Sequence, residues 1–196
     1  IGITHTLDGM RYLLDLARSA EALAKGDHLD SNKRRNALAV SLSKRSGGTH
    51  TWRASWGTSI RAKDSSACPV HRLQLLRHTM LRGDLPLSKV YELEGLLHGL
   101  PRDDEISTAE ERLSFARVLC ADVARILRRA HGGVAAIDPV DVELDLNIGV
   151  PYSDLRSEFT RWLESARIAK ELATAERSFA REEEQRSSEP SSRETE

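Results

Sequence analysis

Between Pro69 and Gly133 apolar residues recur at spacings of three and four in three successive runs, each closed by glycine. The first carries Val70, Leu73, Leu76, Met80 and Leu81 and stops at Gly83-Asp84. Pro86 suits the opening turn of the second, which carries Leu87, Val90, Leu93, Leu96 and Leu97 and ends at Gly99 and Pro101. The third opens on Ser107-Thr108-Ala109-Glu110, a capping box in which a hydroxyl and a carboxylate each satisfy an orphan backbone donor. It presents Leu113, Ala116, Leu119, Cys120, Val123, Ile126, Leu127 and Ala130 on one face and terminates at Gly132-Gly133. Helices at 69–82, 86–98 and 108–131 are therefore expected to form the core.

Other helices are expected at both ends. Leu7 to Lys25 places Met10, Leu13, Leu14, Ala17, Ala20 and Ala24 at helical spacing, with Gly26 as a C-terminal stop. Ser31 is suited to cap a helix from Asn32 to Lys44 that buries Ala37, Leu38 and Leu42. A long helix runs from about 153 to 185, rich in Leu155, Phe159, Trp162, Leu163 and Ala166 in its first half. The fold class is thus mostly α: five to six helices, a minor two-stranded β element and a long C-terminal helix. Residues 1–185 read as a single helical domain, and the low-complexity stretch 186–196 as a disordered tail.

The β element is expected from two segments. Thr49 to Ile60 holds Thr51, Trp52, Trp56, Thr58 and Ile60, which favour strand or hairpin. In the stretch 140–150, Val142, Leu144, Leu146, Ile148 and Val150 alternate with Glu143, Asp145, Asn147 and Gly149, the period of a half-buried strand. Pairing of the two would join a basic segment to an acidic one. A competing reading of 140–162 starts from Ile148-Gly149-Val150-Pro151-Tyr152-Ser153, which looks somewhat like a helix-turn-helix with Arg156 and Arg161 facing a groove. Asp145 stands where that motif usually has a small residue.

Charge supplies the functional signal. No acidic residue lies between Asp30 and Asp64, whereas the window holds eight Lys or Arg and two of the three tryptophans. The other 21 basic residues face all 30 acids. A basic, Trp-bearing segment on an otherwise acidic chain is the footprint of a polyanion contact. Lys33, Arg34, Arg35, Lys44, Arg45, Arg53 and Arg61 would neutralise phosphates, while Trp52, Trp56 and His50 meet bases. The expected function is non-enzymatic binding of nucleic acid, DNA or RNA.

The main alternative is a helical interaction or assembly subunit. Its long helix 153–185 would meet a protein partner or a second copy through Phe159, Ala166, Ala173 and Ala180. A third reading is a metal-dependent phosphodiester enzyme built on Asp141, Glu143 and Asp145. Catalytic and metal-ligating residues are otherwise not expected. Cys68, His71 and His78 lack a second ligand pair for zinc, and neither a serine elbow nor a phosphate loop occurs. No cofactor is implied.

No stretch approaches the roughly 20 apolar residues of a membrane span. The two cysteines suggest a reducing, cytoplasmic setting. The sequence begins at Ile1 without the pattern of a secretory signal, as a trimmed chain or a fragment would.

Overall fold

Seven alternating residues, Ala37-Leu38-Ala39-Val40-Ser41-Leu42-Ser43, put branched side chains on one face and small ones on the other, and they organise the N-terminal half as a strand. The computed structural model describes residues 1–5, 7–26, 35–44, 48–56, 68–129, 137–144 and 146–188, with side chains to 185. The elements are β1 (Gly2–Ile3), α1 (Met10–Lys25), β2 (Ala37–Ser43), β3 (Thr49–Ser55), α2 (Pro69–Arg82), α3 (Leu87–Gly99), α4 (Ala109–Arg128) and α5 (Tyr152–Ser188). Sheet order is β1-β2-β3, with β1 parallel and β3 antiparallel to β2.

The sheet separates two packing layers. Val40, Leu42 and Trp52 join the large core built with α2 to α5. Ala39 and Ser41 point the other way and are buried against α1, whose inner face is Leu16 and Ala20. Small residues allow the helix to lie close: a Cβ on Gly2 would sit 2.9 Å from the Ala17 backbone nitrogen. Tyr12 ties the same face to Ser43, hydroxyl to hydroxyl at 2.8 Å.

The helix expected at 32–44 is therefore a strand over its described part. Ala37 and Ala39 favour a helix on intrinsic propensity, but the alternation of Leu38, Val40 and Leu42 overrides it once Trp52 is available to pack on them. Arg35 adopts φ 65°, a left-handed conformation that no helix passes through. Residues 32–34 lie outside the described set. The sheet gains a third strand from Gly2–Ile3, which the sequence reading left unassigned.

The acidic strand expected at 142–150 is absent among the described residues. Pro139–Val142 instead forms a 3-10 turn, capped by the Asp138 carboxylate accepting from Val140 N at 3.3 Å. Glu143 follows in a left-handed conformation at φ 53°. The period-two burial persists, because Val142 and Leu144 are buried and Leu146 packs partly against the core. No ladder accompanies it; β3 pairs with β2 instead. The Trp162 indole N–H donates to Val142 O at 2.8 Å and fixes this segment on α5. Among the described residues only the 3-10 turn at Pro139–Val142 stands between α4 and Gly149, so no α-helix leads into that turn as a helix-turn-helix requires.

The helices expected at 69–82, 86–98 and 108–131 appear with small shifts at their ends. The capping box of α4 sits one residue later than expected. Thr108 Oγ1 accepts from Glu111 N at 3.2 Å, and the Glu111 carboxylate accepts from Thr108 N at 3.1 Å. At 37 residues α5 is about 55 Å long. Its buried residues end at Ala173; the next turn still reaches α2 through Glu176 and Arg177, and the described residues from Ser178 to Gln185 are exposed. Residues 186–188 belong to this helix rather than to a tail, and 189–196 lie outside the described residues. Among the described residues no helix is long and apolar enough to cross a membrane.

Candidate nucleic-acid interface

The antiparallel ladder distributes the basic window between two ends of one hairpin. At one end Trp56 N donates to Asn36 O at 3.1 Å, next to Arg35. Arg35 is exposed, and its backbone N–H is held by Lys25 O at 3.0 Å. Trp56 is 36% exposed, whereas Trp52 and Trp162 are 1% and 0% exposed. The chain carrying Lys33 and Arg34 enters the sheet at this end, and the chain leading to Arg61 leaves from it. Lys33, Arg34 and Arg61 themselves lie outside the described residues, as does Arg45. At the other end, Lys44 N donates to Gly48 O at 3.1 Å and His50 pairs with Leu42.

Two expected contact residues lie in the body of the hairpin and face inward. Trp52 belongs to the core, so its ring is closed to a base. Arg53 projects from the opposite face of β3 onto the end of α1. Its Nε donates to Leu23 O at 2.9 Å and its guanidinium to Ala24 O at 3.4 Å. These carbonyls belong to the last turn of a helix, where the backbone carries partial negative charge and lacks internal partners.

The same device closes three more helices. Arg177 of α5 donates to Met80 O and Leu81 O at the end of α2. Arg156 of α5 donates to Leu97 O, Leu100 O and Pro101 O, at 3.4, 3.3 and 3.1 Å, at the end of α3. Lys89 of α3 is 2% exposed, and its ammonium donates to Leu127 O at 2.6 Å at the end of α4. Burial pushes that ammonium below the usual lysine pKa. Arg156, the residue a helix-turn-helix would have aimed at a groove, is thus turned into the protein, and Arg161 pairs with Glu158 at 2.8 Å.

The Lys44 end gathers residues from four elements, β2, β3, α3 and α5. Lys44 Nζ lies 2.8 Å from Glu171 Oε1, and Lys170 Nζ lies 3.3 Å from the same oxygen. Lys170 also donates to the Tyr91 hydroxyl at 2.7 Å and sits 4.2 Å from the centre of that ring. Arg167 pairs with Glu94 at 2.6 Å. Burial alone would lower Lys170, but the Tyr91 hydroxyl and the Glu171 carboxylate hold its pKa above the ordinary lysine value. Burial would raise Glu171, but Lys44 and then Lys170 hold it below the usual carboxylate range. His50 is pushed down by burial, Lys44 and Arg167 together.

Arg167 and Lys170 were not among the expected site residues. The signal for them was present but indirect: Lys170 falls on the helical face of Ala166 and Ala173, where a lysine must be paired to be buried.

The remaining candidates are engaged within the fold. Asp141 accepts from Asp138 N, and Glu143 is held by His71 at 3.0 Å and Arg72 at 3.5 Å. Asp145 lies outside the described residues, among which no three His, Cys, Asp or Glu gather as a metal site. On α5, Phe159, Ala166 and Ala173 are fully buried in the chain's own core, while Ala180 is exposed. The chain finds no match among protein-family models, curated proteins or solved structures, so its reading rests on its own geometry.

Proposed function

We propose that this chain binds nucleic acid at the Arg35–Trp56 end of the β2–β3 hairpin. The observation that supports this reading is the exposure of Trp56, alone among the three tryptophans, at the point where both basic stretches meet the sheet. A half-exposed indole offers a face on which an unpaired base stacks, worth about 1–3 kcal/mol per base. Arg35, with Lys33, Arg34 and Arg61 on the adjoining chain, supplies charge for the flanking phosphates.

Tryptophan fluorescence tests this directly, since Trp52 and Trp162 are shielded and form a constant background. A short single-stranded oligonucleotide should quench the Trp56 component at low salt and lose its hold as salt rises. Four neutralised phosphates imply a log–log slope of roughly −3 for a single strand. Absence of quenching at low salt, or binding that ignores salt, refutes the proposal.

A second reading, assembly through the outer part of α5, draws support from Phe179. Its side chain is 65% exposed beyond the buried part of the helix, beside Leu172, Ala175 and Gln74. Here light scattering decides: Phe179→Ser should convert an oligomer to a monomer, and a parent that is already monomeric removes this reading.

A further inference from the structure

The Lys44 end of the hairpin crowds two lysines onto one carboxylate oxygen and sets an arginine beside them. Lys44 comes from the end of β2, His50 from β3, Tyr91 and Glu94 from α3, and Arg167, Lys170 and Glu171 from one face of α5. Lys44, Arg167 and Lys170 meet Glu94 and Glu171 directly, and Glu164, one turn back on α5, also interacts with Arg167. Glu94 is engaged by Arg167. Glu171 answers both lysines through the single oxygen Oε1. Arg167 Nε is buried with no acceptor among the described residues. His50 lies within electrostatic reach of the group: burial first, then Lys44 and Arg167, hold its pKa below the ordinary histidine value while Glu171 opposes them.

The Lys170 side chain is 6% exposed, whereas those of Lys44, Arg167 and Glu171 are 22, 24 and 25% exposed. Two ammonium groups, a guanidinium, an imidazole and a phenol hydroxyl together suit a tetrahedral oxyanion better than a planar carboxylate. Such an anion has oxygens for several donors at once, and charge-assisted hydrogen bonds to it are strong. We propose that this nest is a phosphate-binding site in which Glu171 is the resident anion, displaced when a phosphate group enters. Lys44 and Lys170 then transfer their hydrogen bonds from the carboxylate to phosphate oxygens, with Arg167 and His50 flanking. The site does not depend on base binding at the other end of the hairpin, which lies roughly 20 Å away by strand length.

Inorganic phosphate is the probe. The full chain is titrated with it at constant ionic strength, balanced with chloride, while the His50 imidazole resonance is followed by NMR and assigned through His50→Gln. A saturable response is expected, with the His50 pKa higher in phosphate than in chloride. The sharper arm is Glu171→Gln. Removal of the resident charge should tighten phosphate binding about tenfold, equivalent to about 1.4 kcal/mol, whereas a merely structural Glu171 gives no gain. Lys44→Gln, at the end of β2 and outside the α5 packing face, should weaken binding and serves if the Glu171 variant does not fold.

A 5′-phosphorylated oligonucleotide and its unphosphorylated twin identify the source of the phosphate. Preference for the phosphorylated strand over inorganic phosphate assigns a nucleic-acid end, and parity assigns the free anion. A His50 response no different from that to chloride overturns the proposal. So does a folded Glu171→Gln protein that binds phosphate no more tightly than its parent.

Discussion

Replacing Arg53 separates a structural cation from a ligand-binding one. The side chain makes one good hydrogen bond to Leu23 O at 2.9 Å and one stretched bond to Ala24 O at 3.4 Å. A hydrogen bond involving a charged group contributes about 1.5–3 kcal/mol, and the second bond adds only a fraction because of its length. The two carbonyls lie in a half-buried turn, so water recovers part of the loss in the variant. Arg53→Ala should therefore cost about 2 kcal/mol, or about 4–8 °C in Tm for a chain of this size. Arg53→Lys should recover part of that, since an ammonium keeps the charge but not the fork. Urea unfolding followed by circular dichroism gives the stability, and fluorescence anisotropy of a labelled oligonucleotide gives the affinity. Affinity should stay within about twofold of the parent under conditions where both proteins are folded. If stability stays within about 0.5 kcal/mol of the parent while affinity collapses, the assignment of Arg53 to the α1 end is refuted.

Arg35→Gly makes the opposite pair of changes. Glycine suits the φ of 65° at this position, so the urea midpoint should rise by up to about 1 kcal/mol in stability while oligonucleotide affinity falls; lower stability would contradict the backbone argument. Acid sensitivity should trace to His50. Its folded pKa lies below the unfolded value of about 6.5, so the unfolded chain binds more protons just below that pH. Stability conferred by the neutral ring is therefore complete above about pH 6.5 and lost as pH falls through the folded pKa. His50→Gln should flatten the urea midpoint between about pH 7 and 5; an unchanged slope would remove His50 as its source.

The helical half of the fold was legible because its residues carry the period and its punctuation together. Leu73, Leu76 and Met80 lie on one stripe before Gly83, whose φ of 85° is the left-handed stop that glycine permits. The N-terminal sheet was harder to read for a physical reason. β1 is two residues long and exists only because Gly2 and Ile3 find Ser41 and Leu42 across a helical crossover. Nothing local marks such a strand. At 142–150 the alternation was genuine, yet alternation specifies which side chains turn inward and not whether a neighbouring backbone is present to pair.

The candidate site was legible as a density of charge and illegible as a set of available donors. Arg53 and Arg35 belong to the same acid-free window, and their neighbours in sequence do not say which is taken up inside the fold. Only the position of the α1 terminus, thirty residues earlier, separates them. Lys44 likewise looked free until Glu171 arrived from the far end of the chain.

Two of the four cations that close helix ends, Arg156 and Arg177, belong to α5, which follows the other described elements in chain order. As the chain leaves the ribosome, α2 and α3 emerge with carbonyls at their ends that lack these donors, and they wait for α5 to complete them. These two helices, each with its own apolar stripe and glycine stop, thus depend on a segment made 55 to 97 residues later. The helical half acquires its stability late and together, and a chain arrested before Tyr152 would hold α2 and α3 with unfinished ends.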